Sequence, residues 1–216
     1  MMTENEEKLI LDYMIYGNNT GTLPAPEAVV LLSHLDGGDI IDVILDNRDS
    51  LRPIITDEIP QFSNEDDVDN VLRVLIESGL QDLTYEQIGE YLCPVDAKRT
   101  ARRKYGENHY KYACRLGLTT KERPFTATEM GVAYHDLKSN KEQRELMYRL
   151  VFSIPFVQHA IVKAAGGHYY MPDFLREFLS PSTTARRRSN MHKIMSWAYD
   201  VTSGRHRELF DNIAWY

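Results

Sequence analysis

Apolar residues recur along this chain at the i, i+3, i+4 interval of a helix, and only two stretches of three residues, Leu118–Thr120 and Pro124–Thr126, read as strands. That pattern restricts the chain to a mainly α fold, α+β only through short hairpins. Its 216 residues suffice for one or two ordinary domains. In the first third, Glu6–Tyr16 places Leu9, Ile10, Tyr13 and Met14 on one side of a helix. Gly17-Asn18-Asn19-Thr20-Gly21 reads as a loop, and Pro24 and Pro26 precede a second helix through Leu35. After the turn Asp36-Gly37-Gly38, Asp39 is expected to cap a third helix to about Leu51. Asp39, Asp42, Asp46 and Asp49 share a face opposite Ile40, Ile41, Ile44 and Leu45, the spacing of a solvated helix face rather than of a cation site. Arg52-Pro53 then opens a connector that runs to a helix cap around Ser63-Asn64-Glu65-Asp66-Asp67.

From Val68 the helices fall into a recognisable order. The first runs to Ser78, where Gly79 stops it, and the capping box Thr84-Tyr85-Glu86-Gln87 opens a second through Leu92. A basic segment with Lys98, Arg99, Arg102, Arg103 and Lys104 is expected to break at Gly106. The third helix is then expected over Glu107–Leu116, with Tyr110, Ala113 and Cys114 inward and Asn108, His109, Lys111, Tyr112 and Arg115 outward. A hairpin tipped by Lys121-Glu122-Arg123 follows, and Thr128 begins a helix to Leu137. Three helices, a basic hairpin and a helix are the order of a winged helix-turn-helix. A second set follows: helices over Lys141–Phe152, Pro155–Ala165, Pro172–Leu179 and a long one over Thr183–Thr202 with Ser182 as its cap, but without a clear wing. Met191, Ile194, Met195 and Ala198 of that last helix belong in the core, leaving Arg186, Asn190 and Lys193 polar. The division expected is an acidic helical region over 1–64, a winged-helix unit over 65–138 and a winged-helix-like unit over 139–216.

Charge divides the chain elsewhere, between 96 and 97, inside the first of those winged-helix units. The net charge is −7. Residues 1–96 carry four Lys/Arg against 21 Asp/Glu, net −17, and residues 97–216 carry 21 against 11, net +10. A basic half of this size points to a polyanionic partner, which the whole-chain balance conceals. The acidic third has two uses consistent with its charge: masking the basic face, or self-association and docking of a protein partner.

Two stretches resemble the tandem winged-helix modules that accompany type II restriction endonucleases and related defence ATPases. One is Ile88-Gly89-Glu90-Tyr91-Leu92 with His109-Tyr110-Lys111-Tyr112-Ala113-Cys114-Arg115-Leu116-Gly117-Leu118 and Phe125-Thr126-Ala127-Thr128-Glu129-Met130-Gly131. The other is Ser182-Thr183-Thr184-Ala185-Arg186-Arg187-Arg188-Ser189 with Ile194-Met195-Ser196-Trp197, similar to the family's Arg-rich closing helix. The resemblance covers about 67–202 and implies duplex DNA recognition, in restriction and defence or in transcription regulation. The nuclease of those enzymes is a separate domain to which nothing here corresponds, so no enzymatic activity is implied.

Residue chemistry leads to the same expectation. There is no phosphate-cradling Gly-rich loop followed by Lys-Ser/Thr, no Gly-x-Ser-x-Gly elbow and no His/Cys metal spacing, and the one Glu-x-Lys, Glu6-Glu7-Lys8, has no acidic strand before it. No catalytic residue, metal or cofactor is therefore expected. Two cysteines and no apolar run near 20 residues fit a cytoplasmic chain outside the membrane. DNA contact is expected from Lys98, Arg99, Arg102, Arg103, Lys104, Asn108, Lys111, Arg115, Lys121 and Arg123 in the first unit. In the second it is expected from Thr183, Thr184, Arg186, Arg187, Arg188, Asn190 and Lys193, with Arg186 and Asn190 addressing bases. The alternative is a winged-helix adaptor that binds proteins and not DNA.

Overall fold

Eleven α-helices are found among the described residues of the computed structural model, which are 2–17, 23–61, 65–80 and 82–216. The loop expected over Asn18–Gly21 and the cap at Ser63-Asn64 lie outside them. Helix α1 (Glu4–Ile10) opens on a Thr3/Glu6 capping box and continues as a π-helical turn over Leu11–Ile15. Helices α2 (Ala25–His34) and α3 (Gly37–Asp46) follow, and Asp36, not Asp39, caps α3 by accepting from the Gly38 N–H at 2.7 Å. Helix α3 ends at Asp46, with Asn47 as its C-cap. The connector then passes through 3-10 turns at Arg48–Ser50 and Thr56–Glu58 and buries Ile59 completely.

Helices α4 (Glu65–Glu77), α5 (Tyr85–Leu92) and α6 (Arg99–Arg115) come next, and the Thr84/Gln87 capping box is present at the start of α5. Helix α6 does not break at Gly106. A Cβ on Gly106 would stand 2.0 Å from the Tyr85 carbonyl oxygen, and one on Gly89 would stand 1.9 Å from that of Arg102. The two glycines let α5 and α6 cross backbone against backbone, so Gly106 is a packing residue inside a continuous 17-residue helix. Leu118–Thr120 and Thr126–Thr128 then pair through one antiparallel bridge, Thr119 opposite Ala127, so the hairpin is shorter than two full strands and its return arm lies later than expected. Helix α7 (Glu129–His135) closes this set under a Thr128 cap.

The second set is α8 (Asn140–Leu150), α9 (Pro155–Ala165), α10 (Met171–Arg176) and α11 (Pro181–Asp200). Ser180, not Ser182, caps α11 by accepting from the Thr183 N–H, and Pro181 takes the first helical position. Strand β1 (Tyr169–Tyr170) pairs in parallel with strand β2 (Ile213–Ala214), which ties the C-terminal segment back to the end of α9.

The chain has two apolar clusters of very different size. The large one joins Leu9, Ile10, Met14, Leu32, Ile41 and Ile44 of the acidic third to Phe152, Phe156, Val157, Ile194 and Met195. The small one contains Val71, Val74, Leu83, Ile88, Tyr110, Ala113 and Phe125. Helix α6 lies between them, with Tyr110 and Ala113 in the small cluster and Tyr112 and Leu116 in the large one.

Candidate nucleic-acid interface

The two halves of α6 have different surroundings. In the first half Lys98, Arg99, Arg103 and Lys104 are exposed. Arg99 meets Glu86 at 2.8 Å, with most of its side chain in water, and Lys104 lies 3.7 Å from Glu107. Lys98 and Arg103 form no ion pair among the described residues. Arg102 is the exception in this run, since it turns back to the Val95 carbonyl and lies 3.7 Å from Glu90. It ties the α5–α6 connection to α6 instead of facing outward.

The second half of α6 is buried on both sides, and this overturns the outward set expected there. Asn108 is 7% exposed, His109 and Tyr112 1% each. A helix between two cores has no single apolar stripe, so an outward face cannot be assigned by taking the opposite of one stripe. Lys111 is half-buried and donates to Glu107 at 2.7 Å, a bond that holds the Glu107 carboxyl below its ordinary range. Arg115 donates to the Asp57 carbonyl of the connector.

Three aromatic rings hold the hairpin against the helices. Phe125 stacks on Tyr85 of α5 at 4.6 Å and meets Tyr110 of α6 at 4.5 Å, while the Tyr110 hydroxyl donates to the Thr120 carbonyl at 2.9 Å. The hairpin tip is thus fixed relative to the start of α6. Its Lys121 is 79% exposed and 3.6 Å from Glu58, and Arg123 lies over the Phe125 ring and 3.5 Å from Asp82.

No protein-family model, curated protein or solved structure matches this chain. The site therefore rests on its own geometry.

Helix α11 was expected to present a seven-residue basic and polar face, but the connector crosses its first turns. Arg187 is buried and donates to the Thr56 and Ile59 carbonyls at 3.1 and 2.7 Å. Asn190 donates to the Gln61 carbonyl at 2.6 Å, and Thr184 is 3% exposed. Arg187 and Asn190 hold the connector, and with Thr184 buried none of the three faces a base edge. Thr183 is half-buried and accepts from Arg186, which stays exposed, while Arg188 lies over Tyr216 and Lys193 over Trp197. Arg186 and Asn190 consequently do not act as a pair.

Two exposed apolar residues beside the cations were missed in the sequence. Tyr91, in the last turn of α5, is 57% exposed, and Val95, between α5 and α6, is 93% exposed. An apolar pair flanked by Glu90 and Lys98 at a helix junction was their only signal. Among the described residues no three His, Cys, Asp or Glu side chains converge on a possible metal position, and no helix is long and apolar enough to cross a membrane.

Proposed function

We propose that this chain binds duplex DNA through a winged-helix unit formed by α4–α7, with the first half of α6 in the major groove and the hairpin tip against phosphate. The observation that carries the reading is the exposed run Lys98, Arg99, Arg103 and Lys104 on the first turns of α6, beside a hairpin held in place by the Tyr85–Phe125–Tyr110 contacts. Recognition helices of this class enter the groove at their N-terminal turns. Arg99 and Arg103, four apart, share a face and carry the planar donor fork suited to guanine O6 and N7, with Thr100 next to them. Lys98, Lys104, Lys121 and Arg123 supply phosphate contacts and the register. Arg186, Arg188 and Lys193 of α11 are a secondary basic surface.

The test is fluorescence polarisation with random and selected duplexes over a salt series. Binding should weaken steeply with salt, because each neutralised phosphate releases counterions. Arg103→Ala should lower affinity for the selected site and relax one base position, at about 1–3 kcal/mol. Negligible binding at low salt on every duplex would sink the reading. The adaptor reading gains from Tyr91 and Val95, and its signature is salt-insensitive binding of a protein partner lost on Val95→Asp.

A further inference from the structure

Between the connector and the second half of α6 lies a cleft of about 430 Å³. Small-molecule sites span roughly 300–1,000 Å³. Three tyrosines, Tyr13, Tyr85 and Tyr110, line it, and its charged groups are Arg52, Lys111, Arg115 and Lys121 against Asp57 and Glu58. Both arginines are cations without a carboxylate at ion-pair distance among the described residues. Arg52 donates only to backbone carbonyls, of Ile15 at 3.2 Å, Met14 at 3.5 Å and Ser153 at 2.7 Å. Arg115 donates to the Asp57 carbonyl, and its buried Nε has no partner. Burial lowers the pKa of both, that of Arg115 to about 10.

Withdrawing a guanidinium from water with no carboxylate at ion-pair distance is costly, and two of them beside two lysines leave the cleft with a positive surplus over Asp57 and Glu58. The C-terminal end of α6 contributes only about half a negative charge, too little to balance it. Lys111 and Lys121 add two ammonium groups whose partners, Glu107 and Glu58, lie at 2.7 and 3.6 Å. An oxyanion with three acceptor oxygens meets the geometry of a guanidinium beside two lysines. Tyr85, half-buried with one side stacked on Phe125, also lines the cleft, where an aromatic ring suits a flat ligand body.

We propose that this cleft binds a small aromatic anion of the nucleoside monophosphate type, its phosphate among Lys111, Arg115 and Lys121 and its base against Tyr85. The site meets the proposed DNA surface only at Lys121, since Arg115 lies about 18 Å along the α6 axis from Arg103 at the rise of a helix.

The test is isothermal titration of the full chain with adenosine 5′-monophosphate, adenosine and inorganic phosphate in turn. The monophosphate should bind saturably at one site, with adenosine and phosphate each weaker by about tenfold or more, the loss of one half of the recognition. Lys121→Glu, on a side chain 79% exposed and so harmless to folding, should weaken the monophosphate by about tenfold. Lys141→Ala, an exposed cation on α8, should leave it unchanged. No saturable binding at millimolar monophosphate overturns the proposal, as does equal binding of inorganic phosphate or indifference to Lys121→Glu. None of these outcomes depends on whether the chain binds DNA.

Discussion

Arg187 donates two bonds to the carbonyls of Thr56 and Ile59, whereas Arg103 projects from the first half of α6 with no ion pair among the described residues. Their substitutions should therefore separate stability from binding. Arg187→Met keeps the apolar stem and removes both donors, which leaves buried acceptors unmet. It should lower the stability to urea by about 1–3 kcal/mol with DNA affinity little changed. Arg103→Ala should alter stability by no more than about 0.5 kcal/mol, reduce affinity for the selected duplex and relax one base position. Exchanged outcomes, with Arg187→Met folded as before but deficient in DNA binding, would return α11 to the role of reader. The Glu107 carboxyl makes a pH prediction at the same scale. The Lys111 bond is the main cause of its lowered pKa, so its contribution is full above the ordinary carboxylate value and is lost as pH falls through the lowered folded value. The stability difference between the natural chain and Glu107→Gln should be constant near neutral pH and shrink below about pH 4. A difference that grows on acidification would show that the bond is not formed in solution.

Helix α6 shows what the chain's pattern makes readable and what it hides. The Thr84 capping box and the Thr128 cap are local signals, and the structure carries both of them. Gly106 was misread because a glycine in a basic run signals a break by propensity, while its use here depends on Tyr85, 21 positions earlier. Asn108 and Tyr112 were misread because burial by two cores erases the polar side of the helix. Ser180 and Ser182 are both capping residues by type, and Pro181 between them, which also suits a turn, here takes the first helical position after Ser180. Two competing magnitudes make Gly106→Ala informative. Alanine gains about 1 kcal/mol in helix propensity over glycine. The added Cβ would stand 2.0 Å from one backbone oxygen and 2.7 Å from the Gly89 nitrogen, where no side chain can turn away. Overpacking of this kind costs about 1–3 kcal/mol or more, so the steric effect should win and the urea midpoint should fall. A rise in the midpoint would mean that α5 and α6 cross more loosely than described. For the cap, Ser180→Ala should cost about 1 kcal/mol, while Ser182→Ala stays within about 0.5 kcal/mol.

At the scale of the whole molecule, the acidic third and the basic half carry opposite net charge and share one interior. Ile10, Met14, Ile15, Leu32, Ile41 and Ile44 are completely buried, in the same cluster as Phe152, Val157 and Ile194. Gln158 binds the two parts with a fully buried amide that donates to the Met14 and Phe152 carbonyls at 2.8 Å each. Surface charge, which is what the sequence exposes most clearly, suggested a region that could be lifted off the basic face. The buried apolar residues, distributed over both parts, argue otherwise. Each large apolar side chain withdrawn from water contributes about 1.5–3 kcal/mol, and six of them match the whole net stability of a domain, about 5–15 kcal/mol. The connector adds its own ties, with Ile59 buried and Arg115, Arg187 and Asn190 bonded to its carbonyls. The small cluster around Tyr110 and Phe125 is too slight to hold α4–α7 together without the large one. Deleting residues 1–60 should therefore not release a DNA-binding remainder with raised affinity. It should yield a chain with helical far-ultraviolet dichroism, little near-ultraviolet signal, dye-binding apolar surface and a broad urea transition. A truncated chain that unfolds cooperatively and binds duplexes more tightly than the full one would mean that the acidic third is a removable mask. The apolar cluster it shares with α8, α9 and α11 would then be dispensable to the fold.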